Sequence, residues 1–126
     1  TDYMETVREA SGGNGPELIL EMLANLNLAA DLDVVGKYGR IVVIGNRGEI
    51  TVNPRVAMMK ELDVRGIALF NASREQMEQI VIDLDVGLRD GSLLPVVGKR
   101  MPLTEAAASH TAVLERGAHG KIVLIP

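Results

Sequence analysis

The sequence predicts an α/β protein, a parallel sheet with helices packed on it. Three observations point that way. The run Ile41-Val42-Val43-Ile44 is uninterruptedly β-branched and apolar, which suits a central strand covered on both faces and not the alternating strand of a hairpin. Runs of this kind alternate with helical patterning in the order α-β-α-β-α-β-α, which implies crossover connections and parallel pairing. The central run also stops at Gly45, before the turn Asn46-Arg47-Gly48. In open α/β sheets the carboxyl ends of the strands are where nucleotides and substrates bind. Gly45 and Gly48 let backbone N–H groups approach a ligand closely, and Arg47 supplies a fixed positive charge. The plain alternative is a buried strand closed by an ordinary glycine turn.

Each element has a local reason. Asp2 and Glu5 form a box-like cap for a first helix whose inner stripe is Tyr3, Val7 and Ala10, and Gly12-Gly13-Asn14-Gly15-Pro16 stops it. Glu17 to Leu23 reads as a strand, within which Glu21 is anomalous: a buried carboxylate needs a partner, so Glu21 sits at an edge or beside a polar site. A helix then carries Leu28, Leu32 and Val35, with Asn25 and Asn27 as candidate caps and Gly36 and Gly39 at its end, near Lys37. Asn53-Pro54 starts a short helix running to about Glu61. Leu62 to Phe70 reads as a third strand with Gly66 as a bulge. Ser73 and Gln76 form a capping box for the longest helix, whose stripe of Met77, Ile80, Val81, Leu84 and Leu88 reads as core, and Gly91 closes it. Beyond Gly91 the character changes. Leu93 to Leu103 is extended and interrupted by Pro95 and Pro102, Thr104 caps a helix ending near Gly117, and Lys121 to Ile125 is a last strand.

At 126 residues the chain is one domain, or one domain with an appended piece, and can bury a substantial core. Its aromatic content of 2% leaves that core to Leu, Ile, Val, Ala and Met. The net charge of −4 argues against general affinity for nucleic acid or an anionic membrane, and the shortage of aromatic rings argues against stacking on bases. With no cysteine there is no disulfide, thiolate zinc site or cysteine nucleophile. No apolar run approaches the roughly 20 residues of a membrane span, and no signal peptide is visible, so the expected location is cytoplasmic. The chain opens without Met and directly in helical pattern, which suggests a piece of something longer.

The chemistry-bearing residues are sparse. His110 lies in a helical pattern flanked by Ala107 and Leu114 and reads as packed, while His119 reads as solvated. Neither belongs to a metal-binding or nucleophile motif, and no general acid–base pair is evident. A hydride transfer does not demand one, because a cofactor carries the reactive atom. The G-x-G-x-x-G turn of a dinucleotide-binding domain is absent; it belongs to the first half of such a domain.

With these residues laid out, a family resemblance emerges. The segments 21–28 (EMLANLNL), 39–48 (GRIVVIGNRG), 53–55 (NPR) and 120–125 (GKIVLI) resemble the zinc-free NADPH:quinone oxidoreductases of the zeta-crystallin family, in the medium-chain dehydrogenase/reductase superfamily. The resemblance runs in register along the whole chain but matches only the carboxyl-terminal part of such an enzyme. It implies that residues 1–92 are the second half of a Rossmann-type nucleotide-binding domain. Residues 93–126 would be a strand-helix-strand tail packing on a catalytic domain that has no counterpart here. Carried over by position, the cofactor contacts fall on Asn27 after the second apolar segment and on Ile44, Gly45, Asn46 and Arg47 beside the nicotinamide ribose. They also fall on Ile67, Ala68, Leu69 and Phe70, whose backbone meets the carboxamide, and on Arg116 near the end of the chain. No catalytic or metal-binding residue is implied. The resemblance implies NADPH as cofactor, a quinone as substrate, and homo-oligomers paired through the edge of segment 64–70. Two alternatives stay open: an enone or alkenal reductase of the same superfamily, and a non-catalytic crystallin-like or dimerising fragment.

Overall fold

The computed structural model describes residues 3–115 and 119–126; the expected cap at Asp2, the helix stop at Gly117 and the candidate site residue Arg116 lie outside them. The chain divides into two compact units, Thr1–Ala72 and Ser73–Pro126.

The first unit contains α1 (Tyr3–Ala10), β1 (Leu18–Glu21), α2 (Ala24–Val34), β2 (Arg40–Val43), α3 (Pro54–Lys60) and β3 (Asp63–Gly66). The strands form one parallel sheet in the order β1-β2-β3, so the β-branched run is the central strand, as its composition predicts. Pairing sets Ile19 beside Ile41 and Val64, and Glu21 beside Val43 and Gly66. These residues share one face. On it Ile41, 0% exposed, packs with Leu32 and Val35, and Ile19, Leu28, Val43, Val56, Ala57 and Leu62 surround them. The other face, carrying Leu18, Leu20, Arg40, Asp63 and Arg65, is exposed or half-exposed, and Asp63 Oδ2 lies 2.7 Å from Arg40 Nε and 3.0 Å from Arg65 Nε. The expectation that the central run is covered on both faces therefore holds fully only for Ile41; Val42 and Val43 are half-buried and Ile44 is exposed.

Several local expectations change. Of the expected stripe of α1, Val7 is half-buried but Tyr3 and Ala10 are exposed; Met4 and the following Ser11 are half-buried in their place. Helix α2 begins at Ala24, so Asn25 and Asn27 are inside its first turn and neither caps it. Its carboxyl end is held not by Lys37 but by Lys60 of α3, whose Nζ donates to the carbonyls of Leu32, Asp33 and Val35 at 2.7 to 3.0 Å. Asn53 caps α3 as expected, its side chain accepting from Arg55 N. Strand β3 ends at Gly66, which pairs in register with Val43 and is no bulge; Leu69–Asn71 is a 3-10 turn and not strand.

The second unit contains α4 (Arg74–Asp90), β4 (Val97–Pro102), α5 (Ala106–Ala112) and β5 (Lys121–Ile125). The Ser73–Gln76 capping box forms reciprocally, and Gly91 ends α4 with φ 78°. Strands β4 and β5 pair in parallel with a register shift between Val97 and Lys99, which is the expected strand-helix-strand tail. Thr104 lies in a 3-10 turn and does not cap α5, where Glu105 is the residue before the helix and gives no side-chain bond. The apolar stripe of α4 is not core: Val81, Leu84 and Leu88 are exposed, Met77 and Ile80 half-exposed, and Gly87 alone is buried on that helix. His110 is likewise exposed and not packed. No helix among the described residues is long and apolar enough to cross a membrane.

Candidate functional site

Parallel register brings Glu21, Val43 and Gly66 to one rim, and the segments that follow β1, β2 and β3 leave the sheet side by side. There a shallow cleft of about 390 Å³ lies between Val43, Ile44, Gly45 and Asn46 on one bank and Gly66, Ile67, Ala68 and Asn71 on the other. Its walls are mostly apolar, with two amide side chains. Larger clefts of about 600 and 530 Å³ open at the amino ends of the strands, around Gly15, Gly36 and Lys37 and around Lys37, Tyr38 and Arg40. The smaller cleft is the candidate site, because in an open parallel sheet ligands bind at the carboxyl ends.

The rim is held by backbone bonds. The Glu21 carbonyl accepts from the N–H of Ile44 at 2.8 Å and of Gly45 at 3.2 Å, and the Gly45 carbonyl accepts from Ala24 N at 3.0 Å. A Cβ on Gly45 would stand 2.1 Å from the Met22 carbonyl oxygen. Gly45 thus allows two loops of the protein to close on each other, and its N–H is already used; close approach to a ligand, the role expected of it, is not what demands glycine there.

Of the residues expected to meet a cofactor, the cleft unites Ile44, Gly45, Asn46, Ile67 and Ala68. Asn46 Nδ2 donates to the Gly48 carbonyl at 2.7 Å, and the Arg47 N–H to Asn25 Oδ1 at 3.0 Å, so Asn25 ties the β2 turn to α2. The Arg47 side chain is exposed beside the cleft. Leu69 and Phe70 do not line it; they stand in the 3-10 turn beyond, with Phe70 88% exposed. Asn27 lies on the first turn of α2, its Nδ2 donating to Glu21 Oε1 at 3.2 Å.

Behind the rim lies a feature that Glu21 signalled and Asp31 completed. Glu21 and Asp31 are 5% and 6% exposed, and Asp31 Oδ2 is buried without a hydrogen-bonding partner as a carboxylate. Burial raises the Asp31 carboxyl, and bonding to Glu21 and repulsion by its charge raise it further, to about 7. Burial pushes Glu21 upward too, but bonds from Asp31, the Leu23 N–H and Asn27 outweigh it and hold Glu21 below its ordinary value. The pair thus keeps one proton on Asp31 and one negative charge on Glu21. Asp31 was readable in advance: it stands three residues after Leu28 and one before Leu32, within the buried stripe of α2.

The chain matches the family of zinc-binding dehydrogenases over residues 1–124. It is 38% identical to a quinone oxidoreductase of Sus scrofa over 98% of this chain and 38% of that protein. It is 29% identical to a 2-haloacrylate reductase of a Burkholderia species, over 99% of this chain and 39% of that protein. Among solved structures, an NAD-dependent alcohol dehydrogenase superposes with a TM-score of 0.81 at 26% identity, over 99% of this chain and 35% of that one. The chain therefore spans less than half the length of the relatives it matches. The sequence has no cysteine, and no group of three His, Cys, Asp or Glu side chains that could hold a metal ion occurs among the described residues.

Proposed function

The chain belongs to the zinc-binding dehydrogenase family of the medium-chain dehydrogenase/reductase superfamily, and from that premise we propose that it supplies the nicotinamide side of an NADPH cleft in a quinone reductase. The observation that carries this reading is the cleft itself, built by adjacent strand ends and flanked by amide side chains. Such a mixture of apolar wall and a few polar groups suits a flat heteroaromatic ring bearing a carboxamide. Ile44, Ile67 and Ala68 form the apolar walls; Asn46 and Asn71 offer polar contacts at the lip, with Asn27 nearby. Arg47 offers a cationic contact on the nicotinamide-ribose side, and Arg116 is kept as a cofactor contact on the strength of the family resemblance alone. Bound NADPH supplies the hydride, and the chain orients it. A quinone as the acceptor is supported by likeness to the pig quinone oxidoreductase. A second reading, reduction of an activated alkene, is favoured by likeness to the 2-haloacrylate reductase. Steady-state rates with an ortho-quinone and with an enone separate the two.

In this proposal residues 1–92 are half of the nucleotide domain and 93–126 pack on a catalytic domain. The outer edge of β3, with Val64 exposed, is the surface for pairing with a second copy.

Gly66 tests the site. It lines the cleft, a Cβ there meets nothing within 4 Å, and its φ is not positive, so a side chain is accepted without backbone strain. In the intact protein Gly66→Phe is expected to raise the Kd for NADPH about tenfold or more with little change in Tm. Unchanged affinity would show that the cofactor lies elsewhere.

A further inference from the structure

Two carboxyls buried side by side cannot both ionise cheaply, and here geometry decides which does. The Glu21 carboxylate accepts from the Leu23 N–H and from Asn27 Nδ2. Asp31 has an oxygen, Oδ2, sealed from water with nothing donating to it, as befits a carboxylic acid whose own proton serves its neighbour. An ionised carboxylate has no proton to give, so the Asn27 amide must turn its NH2 toward Glu21. This removes the usual ambiguity of amide orientation. The other branch of that planar amide, Oδ1, then faces away from Glu21 on an exposed residue of the first turn of α2, which stands outside the lining of the cleft.

We propose that Glu21, backed by Asp31, is a positioning residue that fixes the polarity of Asn27, so that the rim offers a carbonyl acceptor to an uncharged hydrogen-bond donor of the ligand. The proposal rests on the reading of this rim as a cofactor site. The matching group is a hydroxyl or a carboxamide NH2. A phosphate, which brings acceptors and negative charge toward Glu21, is the group this arrangement rejects. Asn27 and Glu21 therefore act as one unit in binding, although Glu21 touches no ligand.

The test uses near-isosteric variants of the intact protein, with NADPH binding followed by fluorescence titration. Asn27→Asp sets a second carboxylate against Glu21, which displaces the acceptor and is expected to weaken NADPH binding about tenfold. Adding Glu21→Gln removes the negative charge that opposes the introduced carboxylate, while its Oε1 still accepts from the Leu23 N–H, and is expected to return affinity to within about threefold of the parent. Loss at Asn27→Asp followed by recovery in the double variant supports the proposal, because a merely structural role for Glu21 predicts further loss. Parent-like binding by Asn27→Asp, or no recovery on adding Glu21→Gln, overturns it. The analogue with an acetyl group in place of the carboxamide identifies the donor: weaker binding to the parent but not to Asn27→Leu assigns the ring amide, and equal binding assigns a ribose hydroxyl. If Gly66→Phe leaves NADPH affinity unchanged, the cofactor reading itself fails; if Gly66→Phe weakens binding and the rescue is absent, only the role of Glu21 fails.

Discussion

Asp31 makes the stability of this fold depend on pH in a direction opposite to most carboxylates. The unfolded chain gives up this proton near the ordinary value of 3.8, whereas the folded chain holds it to about 7. Between those values the folded state binds more protons, so stability falls as pH rises across the interval and levels off above it. Glu21, held below its ordinary 4.5, works the other way in a more acid window, where rising pH adds stability. Asp31→Asn keeps a neutral donor toward Glu21 and removes the titration. Urea unfolding at pH 5 and pH 8 is expected to show a loss in the parent and almost none in the variant, with the variant the more stable at pH 8. An equal loss in both would assign the dependence to another group. Glu21 announced itself in the sequence because a carboxylate interrupts an apolar run. Asn27 did not reveal its tie to Glu21, since side chains six residues apart meet only once the turn between β1 and α2 has folded.

Elements whose causes are local were legible: the Asn53 cap, the Ser73–Gln76 box and the Gly91 stop all form as their spacing predicts. Elements ended by distant partners were not. The carboxyl end of α2 depends on Lys60, more than 20 residues away, and β3 stops at Gly66 because β2 offers no longer partner. At the cleft bank Ile44–Asn46 the expected reason for glycine needs correcting, since Gly45 serves the contact between the β1 and β2 loops. In Gly45→Val the side chain would collide with the Met22 backbone, which belongs to the turn entering α2 and has little freedom to yield. The expected cost is about 3 kcal/mol in unfolding free energy, with NADPH affinity lost only as a consequence of the displaced rim. Gly48→Ala is the control on the same turn: its nearest neighbour is Asn25 Nδ2 at 3.8 Å, so a change within about 0.5 kcal/mol is expected. Chemical denaturation of both variants checks the contrast, and equal stability would remove the loop contact as the reason for glycine.

At the scale of the molecule, the fold class followed from the alternation of runs and the central place of the β-branched strand, but burial did not. Predicted inner faces on α4 and on the second face of the sheet lie open, with Leu18, Leu20, Leu84 and Leu88 exposed. An amphipathic stripe states that a helix face is to be covered; it does not state that the covering residues belong to the same chain segment. Neither outer edge of the sheet has a strand partner among the described residues. The site has the same one-sided character. Its cleft of about 390 Å³ is shallow, lined by two strand ends, and the phosphate-binding glycine turn is not in the sequence. Ligand sites that bind tightly enclose most of their ligand, whereas under the proposed reading this rim would touch only the nicotinamide end of NADPH. The 126-residue chain alone is therefore expected to bind NADPH at least about 100-fold more weakly than the intact protein, a loss of about 3 kcal/mol. Isothermal titration of both with NADPH measures the gap. Equal affinities would mean that this segment encloses the cofactor by itself, and that the cleft between β2 and β3 is not half of a larger groove.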